Sequence, residues 1–108
     1  MITIICSWEN EVIKKVVIFG HSEYLEWGKD IVCSAVSGIV FGTINFLYEK
    51  YPYFSKVSFS SARIIIRVVV FNDSLQLCLC LMLYQLKNIE KIYSKYLKII
   101  MKGEKSII

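Results

Sequence analysis

The chain has 108 residues, 56% of them hydrophobic and 20% charged, with a formal net charge of +4. The apolar content excludes an intrinsically disordered chain, and 5 glycines with 1 proline exclude collagen-like and linker-like sequences. This length predicts one domain over residues 1–108, with a core that needs neither a metal nor a disulfide. The chain is too short to hold a separate nucleotide-binding domain.

The N-terminal residues predict a β-hairpin followed by a loop. Residues 2–8 and 12–19 are rich in Ile and Val, and the short polar segment between them favours a turn. Residues 20–30 are bracketed by Gly20 and Gly28 and lack helical or strand periodicity, which predicts a loop.

A long helix is predicted next. Asp30 is a good N-cap for a helix that runs to about Tyr48, and Pro52 prevents its continuation. The eighteen uncharged residues between Asp30 and Glu49 approach the length of a membrane span, and Gly38 and Gly42 have the spacing of membrane helix pairs. Those glycines also suit a soluble helix that crosses a sheet closely. Polar residues dilute the hydropathy, so we expect no membrane span; they are Ser34, Ser37, Thr43 and Asn45.

The second half predicts two strands and a helix. Residues 56–59 and 62–71 are strand candidates, the second being the strongest in the chain. Cap residues open a helix whose apolar residues recur at three-to-four spacing to near Leu97, and residues 102–108 are expected to fray. The cap residues are Asn72, Asp73 and Ser74; the spaced residues are Leu75, Leu79, Met82, Leu86, Ile89, Tyr93 and Tyr96. The order ββαββα predicts a two-layer α+β fold, with two helices packed on a four-stranded, mostly antiparallel sheet.

The surplus positive charge lies entirely in residues 74–108. These residues carry two glutamates and six lysines, namely Lys87, Lys91, Lys95, Lys98, Lys102 and Lys105. A lysine stripe of this kind is typical of a solvated helix face, and it also favours an anionic partner such as RNA or a membrane surface.

The cysteines predict free thiols in a reducing compartment. Charged residues from Glu9 to Lys15 interrupt any secretory signal, so a cytoplasmic location is expected for a chain with four cysteines. Cys6 alternates with apolar strand residues and is expected in the core. Cys78 and Cys80 lie two residues apart on a helix and do not share a face, and His21 is the single histidine, so no metal site is expected.

Cys33 and His21 are the residues best placed for chemistry. Cys33 falls near the predicted start of the first helix, where unpaired amide N–H groups and the helix dipole stabilise a thiolate. An imidazole close by would take up the thiol proton, and the amides of Cys33 and Ser34 are candidates to bind an oxyanion. A small cysteine in an apolar helix is also typical of packing, and a lone loop histidine of an exposed side chain.

The spacing of these residues carries a resemblance. Gly20-His21 is followed after six residues by Gly28-Lys29-Asp30-Ile31-Val32-Cys33, and Ser37 comes after three more. This pattern resembles the signature of the ribosomal-processing cysteine protease family, called Prp or YsxB-like. The likeness continues through residues 40–49, the strand ending in Arg67 and residues 77–93. Ser22 and Ser34 stand where the family commonly has Ala.

The resemblance implies a single cysteine protease domain that works as a small cytoplasmic endopeptidase without cofactor, usually as a homodimer. Its implied substrate is a precursor of large-subunit ribosomal protein L-twenty-seven, whose N-terminal extension is removed after a hydrophobic or aromatic sequence. His21 matches the catalytic histidine and Cys33 the nucleophile, while Gly20 and Gly28 bracket a mobile loop over the site.

Two further positions match polar residues of that family. Asp30 would either orient His21 or only cap the helix. Ser37 lies one helical turn after Cys33, where it would either hydrogen-bond near the site or bond back to the helix backbone. An alternative function is a non-catalytic ribosome- or RNA-binding module that uses lysines 87, 91, 95 and 98 with Tyr93 and Tyr96.

Overall fold

Seven elements follow one another in a computed structural model that describes residues 1–20 and 29–103. Within these residues the strands are β1 (Ile2–Glu9), β2 (Val12–Phe19), β3 (Ser55–Ser60), β4 (Arg63–Val68) and β5 (Leu97–Gly103), and the helices are α1 (Lys29–Lys50) and α2 (Asp73–Ile92). The predicted hairpin, both helices and the strand pair between them are therefore confirmed. The strand predicted over 62–71 is shorter, because the Val69 and Val70 N–H groups turn to the Phe54 carbonyl.

The sheet has the order β3-β4-β2-β1-β5. Strands β1, β2, β3 and β4 pair antiparallel, whereas β5 pairs parallel to β1. The α+β class with two helices and a mostly antiparallel sheet is confirmed, but the predicted number of four strands is wrong, because the described chain contains a fifth strand, whose pairing with β1 makes the sheet mixed.

The fifth strand begins where a helix and a frayed end were predicted. α2 ends at Ile92, and the N–H of the C-cap Tyr93 donates to the Ile89 carbonyl over 2.8 Å. The chain then turns, and Leu97 starts a strand that supplies the open edge of β1 with hydrogen-bond partners. Tyr93 and Tyr96 match helical spacing in the sequence, but the unpaired backbone groups of a sheet edge favour an added strand.

Both helices cover the same face of the sheet. The buried side chains of α1 recur at helical spacing, and α2 buries a second set against the same core. They are Val32, Val36, Val40, Ile44 and Leu47 in α1, and Leu75, Leu79, Met82, Leu83 and Leu86 in α2. Residues Ile31–Lys50 are long and apolar enough to cross a membrane by length and composition. In this fold, one side of that helix packs into the core.

Two side chains stabilise the start of α2, and one of them also joins it to the sheet. The predicted cap at Asn72 is confirmed, since its Oδ1 accepts the Leu75 N–H over 2.9 Å. One turn later, the Gln76 amide accepts from the Ile13 N–H and donates to the Ile13 carbonyl, each over 2.9 Å. Gln76 therefore satisfies both backbone groups of a strand residue and ties the start of α2 to β2.

The two glycines of α1 do not serve a close crossing. Gly38 and Gly42 are exposed, and a Cβ built on either would meet no atom within 4 Å outside the local helix. The prediction that they let the helix approach the sheet is therefore wrong. The contact between α1 and the core is made by its branched aliphatic residues instead.

Candidate active site

A cleft of about 340 Å³ opens at one end of the sheet, beside α1. The helix forms one wall, the start of β1 and the end of β2 form the floor, and the β3–β4 hairpin forms the far wall. Its lining residues are Ile2, Ile18, Phe19, Gly20, Cys33, Ser37, Phe41, Phe59, Ser60, Ala62, Arg63 and Ile64. The lining is mostly apolar, and Cys33 supplies the one thiol among these residues.

Cys33 reaches the cleft because of its place on α1. Residues four apart on a helix share a face, and Cys33, Ser37 and Phe41 all line the cleft. The neighbouring Val32 and Val36 are buried in the core and set the rotation of the helix. The Cys33 side chain is half-buried, whereas Ser37 is exposed at the surface of the cleft.

The helix begins earlier than the sequence predicts. α1 starts at Lys29, so Asp30 is its second residue and the predicted N-cap position is wrong. Only the first four N–H groups of an α-helix lack a helical acceptor, and Cys33 and Ser34 are the fifth and sixth residues of α1. Their amides are therefore engaged within the helix and are not available to an oxyanion, contrary to the sequence-based prediction.

Ser34 and Ser37 differ in their relation to the cleft. Ser34 is exposed and is absent from the cleft lining, whereas Ser37 lies in it. The structure thus brings together Gly20, Cys33 and Ser37 of the predicted site. His21 and Gly28 lie outside the described residues, and their predicted roles stay predictions.

Gly20 occupies a position that only glycine fits. Its φ is +85°, and a Cβ at this position would collide with the Met1 carbonyl oxygen. The Gly20 N–H donates to the Ala62 carbonyl over 3.4 Å, which closes the end of β2 against the β3–β4 turn. This contact holds the floor of the cleft at the point where the chain leaves the sheet.

Aromatic rings from α1, β2 and β3 also shape the cleft, and none of them was predicted from the sequence. The rings of Phe41 and Phe59 stack with centroids 6.1 Å apart and planes 4° apart. The Arg63 guanidinium lies 5.4 Å from the centroid of the Phe19 ring. The position of Phe41 in the cleft could have been predicted from the sequence, since it lies two helical turns after Cys33. The position of Phe59 could not, because a tertiary contact brings it to the cleft.

The thiols of Cys6 and Cys80 have raised pKa values. Cys6 is fully buried, as predicted, and burial, with a contribution from Cys80, raises the pKa of its thiol to about 12. Burial also raises the pKa of Cys80. Both thiols are therefore protonated at neutral pH and poor nucleophiles. All four cysteines are free, and no metal-binding cluster occurs in residues 1–20 and 29–103.

The predicted lysine stripe is not a single helical face. Lys87 and Lys91 lie on α2, but the helix ends at Ile92. Lys95 follows it in a turn, with its ammonium 5.6 Å from the Tyr96 ring centroid, and Lys98 lies on β5. The helical arrangement assumed for an RNA-binding stripe is therefore wrong.

Comparison with known proteins agrees with this architecture. The family model described as cysteine protease Prp matches residues 1–98. Ribosomal processing cysteine proteases Prp from two strains of Staphylococcus aureus are 30% identical over 103 residues, covering 92% of this chain and 97% of theirs. The crystal structure of the essential S. aureus protease in complex with a substrate peptide superposes with a TM-score of 0.86 at 29% identity, covering 94% of this chain and 100% of that one. A Streptococcus mutans protein shares the fold, with a TM-score of 0.83 at 20% identity and 96% of both chains covered.

Proposed function

The chain belongs to the cysteine protease Prp family, and from this membership we propose that it removes the N-terminal extension of ribosomal protein L-twenty-seven with a Cys33–His21 dyad. The observation that carries the proposal is the position of Cys33, a half-buried thiol on α1 that lines an apolar cleft. A cysteine protease needs a nucleophile that an extended peptide can reach, and Cys33 meets this requirement. Cys6, which is fully buried and protonated, does not.

In the proposed mechanism, the Cys33 thiolate attacks the scissile carbonyl carbon while His21 holds the thiol proton. Collapse of the tetrahedral intermediate breaks the C–N bond, and His21 transfers its proton to the leaving amine. A thioester now joins Cys33 to the N-terminal product. His21 then accepts a proton from water, and the resulting hydroxide releases that product as a carboxylic acid and regenerates the thiol. The position of Gly20 supports this mechanism, since Gly20 lines the cleft and His21 follows it directly in the chain.

The lining of the cleft supports an apolar recognition sequence. Phe41, Phe59 and Ile64 present hydrophobic surface beside Cys33. Burying one large apolar side chain there would contribute about 1.5–3 kcal/mol to binding. We propose that the cleft binds the hydrophobic or aromatic residues that precede the cut.

The other predicted site residues have supporting roles in this proposal. Gly20 and Gly28 would serve as hinges of the connecting loop. Ser37 would hydrogen-bond the peptide near the thiol, and Asp30 would support the dyad.

The proposal is tested with the precursor protein itself. Purified enzyme is incubated with precursor carrying its own N-terminal extension, and the products are identified by mass spectrometry. We expect one cut at the boundary of the extension. A matched precursor, with the apolar residues before the boundary changed to Ser, is expected to be cut at least about tenfold more slowly, because it loses the apolar contacts. Cleavage at scattered positions, or equal rates on both precursors, would contradict the substrate assignment.

A non-catalytic ribosome- or RNA-binding module is not retained as the function. Membership in a protease family and the accessible Cys33 favour catalysis.

We propose a reducing, cytoplasmic location, which is supported by four free cysteines.

We also propose that the enzyme is a homodimer, formed through the outer surface of its helices. Phe46, Leu77, Leu81 and Tyr84 are exposed large apolar or aromatic side chains. A groove of about 260 Å³ runs between the helices, lined by Thr43, Phe46, Cys78, Leu81 and Gln85. Exposed apolar surface of this kind is typical of subunit interfaces.

Leu81→Glu is expected to dissociate the dimer, weakening association at least about tenfold, because a carboxylate would be buried without a partner. Sedimentation equilibrium measures the change. Val70→Glu is the matched control, since Val70 is exposed beyond β4 rather than on the helices. A wild-type monomer, or equal dissociation of both variants, would contradict this interface.

A further inference from the structure

The face of the sheet opposite the helices carries a regular pattern of charge. Alternate residues of each strand point away from the core, and α1 and α2 pack on the other side. We call this surface the open face; it consists of Thr3, Ile5, Ser7 and Glu9 of β1, Val12, Lys15, Val17 and Phe19 of β2, Lys56, Ser58 and Ser60 of β3, Arg63, Ile65 and Arg67 of β4, and Lys98, Ile100 and Lys102 of β5. None of these residues belongs to the hydrophobic core cluster.

The strand register sorts the open face into three rows. In the first row Lys56 pairs with Arg67, Arg67 with Lys15, Lys15 with Ser7, and Ser7 with Lys102. Four cations therefore lie along a line of about 19 Å, given strand spacings of about 4.8 Å. Register places Ser60, Arg63, Phe19, Thr3 and Lys98 in another row. Between the two lies an apolar row, formed by Ile65, Val17, Ile5 and Ile100 beside Ser58.

This charge pattern is unfavourable for the isolated protein. Like charges directly opposite each other on neighbouring strands are destabilising, and both Lys56–Arg67 and Arg67–Lys15 are such pairs. The ion pair found among the described residues joins Lys50 to Glu49 on α1, away from this face. Glu9 is the one acidic residue of the open face, and it lies at the end of β1 beyond the first row.

We propose that the open face binds single-stranded RNA. The rows of lysine and arginine, which run across the five-stranded sheet, fit the phosphates of a polyanion, and the aliphatic row between them offers apolar contact to unpaired bases. Phe19 and Arg63 also line the cleft that contains Cys33, so RNA on the open face reaches the edge of the active site. The proposal goes beyond the proposed protease function and does not depend on it.

Other occupants fit the open face less well. A second copy related by a two-fold axis would place one basic row against another, which is repulsive. A membrane surface requires large apolar side chains that enter the lipid. Here the apolar row consists of short, branched side chains that are half-buried between longer lysines and arginines.

The test measures fluorescence anisotropy of a labelled oligouridine of about 20 nucleotides, between about 50 and about 200 mM salt. We expect affinity to fall steeply with salt. The double variant Lys56→Gln/Arg67→Gln is expected to bind about tenfold more weakly, and its log–log salt slope should decrease by about 1.4, since each lost single-strand phosphate contact removes about 0.7. Its thermal midpoint should equal or exceed that of the wild type, because both like-charge pairs are removed. Loss of binding would then not reflect unfolding.

The matched control is Lys50→Gln/Lys91→Gln, which removes two exposed cations from the helices. It is expected to weaken binding by less than about twofold, because neither residue belongs to the open face. Cys33→Ala is expected to bind RNA like the wild type, which separates this inference from the fate of the protease proposal. Equal losses in both double variants would overturn the inference. Tighter binding to vesicles containing phosphatidylserine than to RNA at the same salt would also overturn it, as would conversion of a dimer to a monomer by the open-face variant.

Discussion

Cys33→Ala is expected to lower the rate of precursor cleavage by at least about 10⁴-fold, because loss of a catalytic nucleophile removes the covalent pathway altogether. The fold should survive this change. Cys33 is half-buried at the edge of the cleft, and the residues that hold α1 in the core are its neighbours Val32 and Val36. The loss of activity would therefore arise from chemistry, not from unfolding.

Single-turnover cleavage followed by mass spectrometry measures this effect. The matched control is Cys80→Ala, which removes another half-buried thiol, from α2, that lines neither the cleft nor the groove between the helices. We expect the control to retain wild-type activity, and Cys33→Ser to be almost as inactive as the alanine variant, since a hydroxyl is a much weaker nucleophile than a thiolate. Cleavage that persists in Cys33→Ala would assign the activity to a different nucleophile or a contaminating protease.

Gly20→Ala is expected to lower the free energy of unfolding by about 1–3 kcal/mol, because it forces a side chain into a left-handed backbone conformation against a neighbouring strand. Gly20 has a φ of +85°, and the added Cβ would collide with the Met1 carbonyl oxygen. Relief of that collision requires the end of β2 to move away from the start of β1. Because Gly20 lines the cleft and precedes His21, cleavage should also slow, beyond what the fraction of unfolded protein explains.

Urea denaturation and kcat/KM on the precursor measure both effects. Gly38→Ala is the matched control, since a Cβ there meets nothing within 4 Å outside the local helix and the position lies in the interior of α1. That substitution is expected to raise the free energy of unfolding by about 0.5–1 kcal/mol, because glycine is an unfavourable helix residue. If Gly20→Ala were as stable and as active as the wild type, the close approach of residue 20 to the Met1 carbonyl would have no role in positioning the cleft residues.

Local sequence patterns predicted most of the helices and strands, because these elements depend on interactions between residues that are close in the chain. The hairpin was readable from two runs of branched residues around a short polar turn, and Asn10 and Glu11 adopt positive φ values there, at 52° and 63°. Asn72 was readable as a cap, because its side chain has to satisfy an N–H three residues later. The fifth strand was not readable in this way. Leu97 to Gly103 becomes a strand only because the edge of β1 is available.

For the candidate site, the sequence alone predicted which thiol is the nucleophile and, through the spacing from Gly20 to Ser37, the family of the chain, which the family model confirms. This was possible because residue types and the spacing between them can be recognised without knowledge of the fold. The tertiary structure decided which groups surround that thiol. Phe59 reaches Phe41 across the cleft, and Ala62 binds the Gly20 N–H, through pairings of distant segments that no local pattern encodes. The rows of cations on the open face have the same origin, because strand register, not sequence spacing, determines which side chains become neighbours.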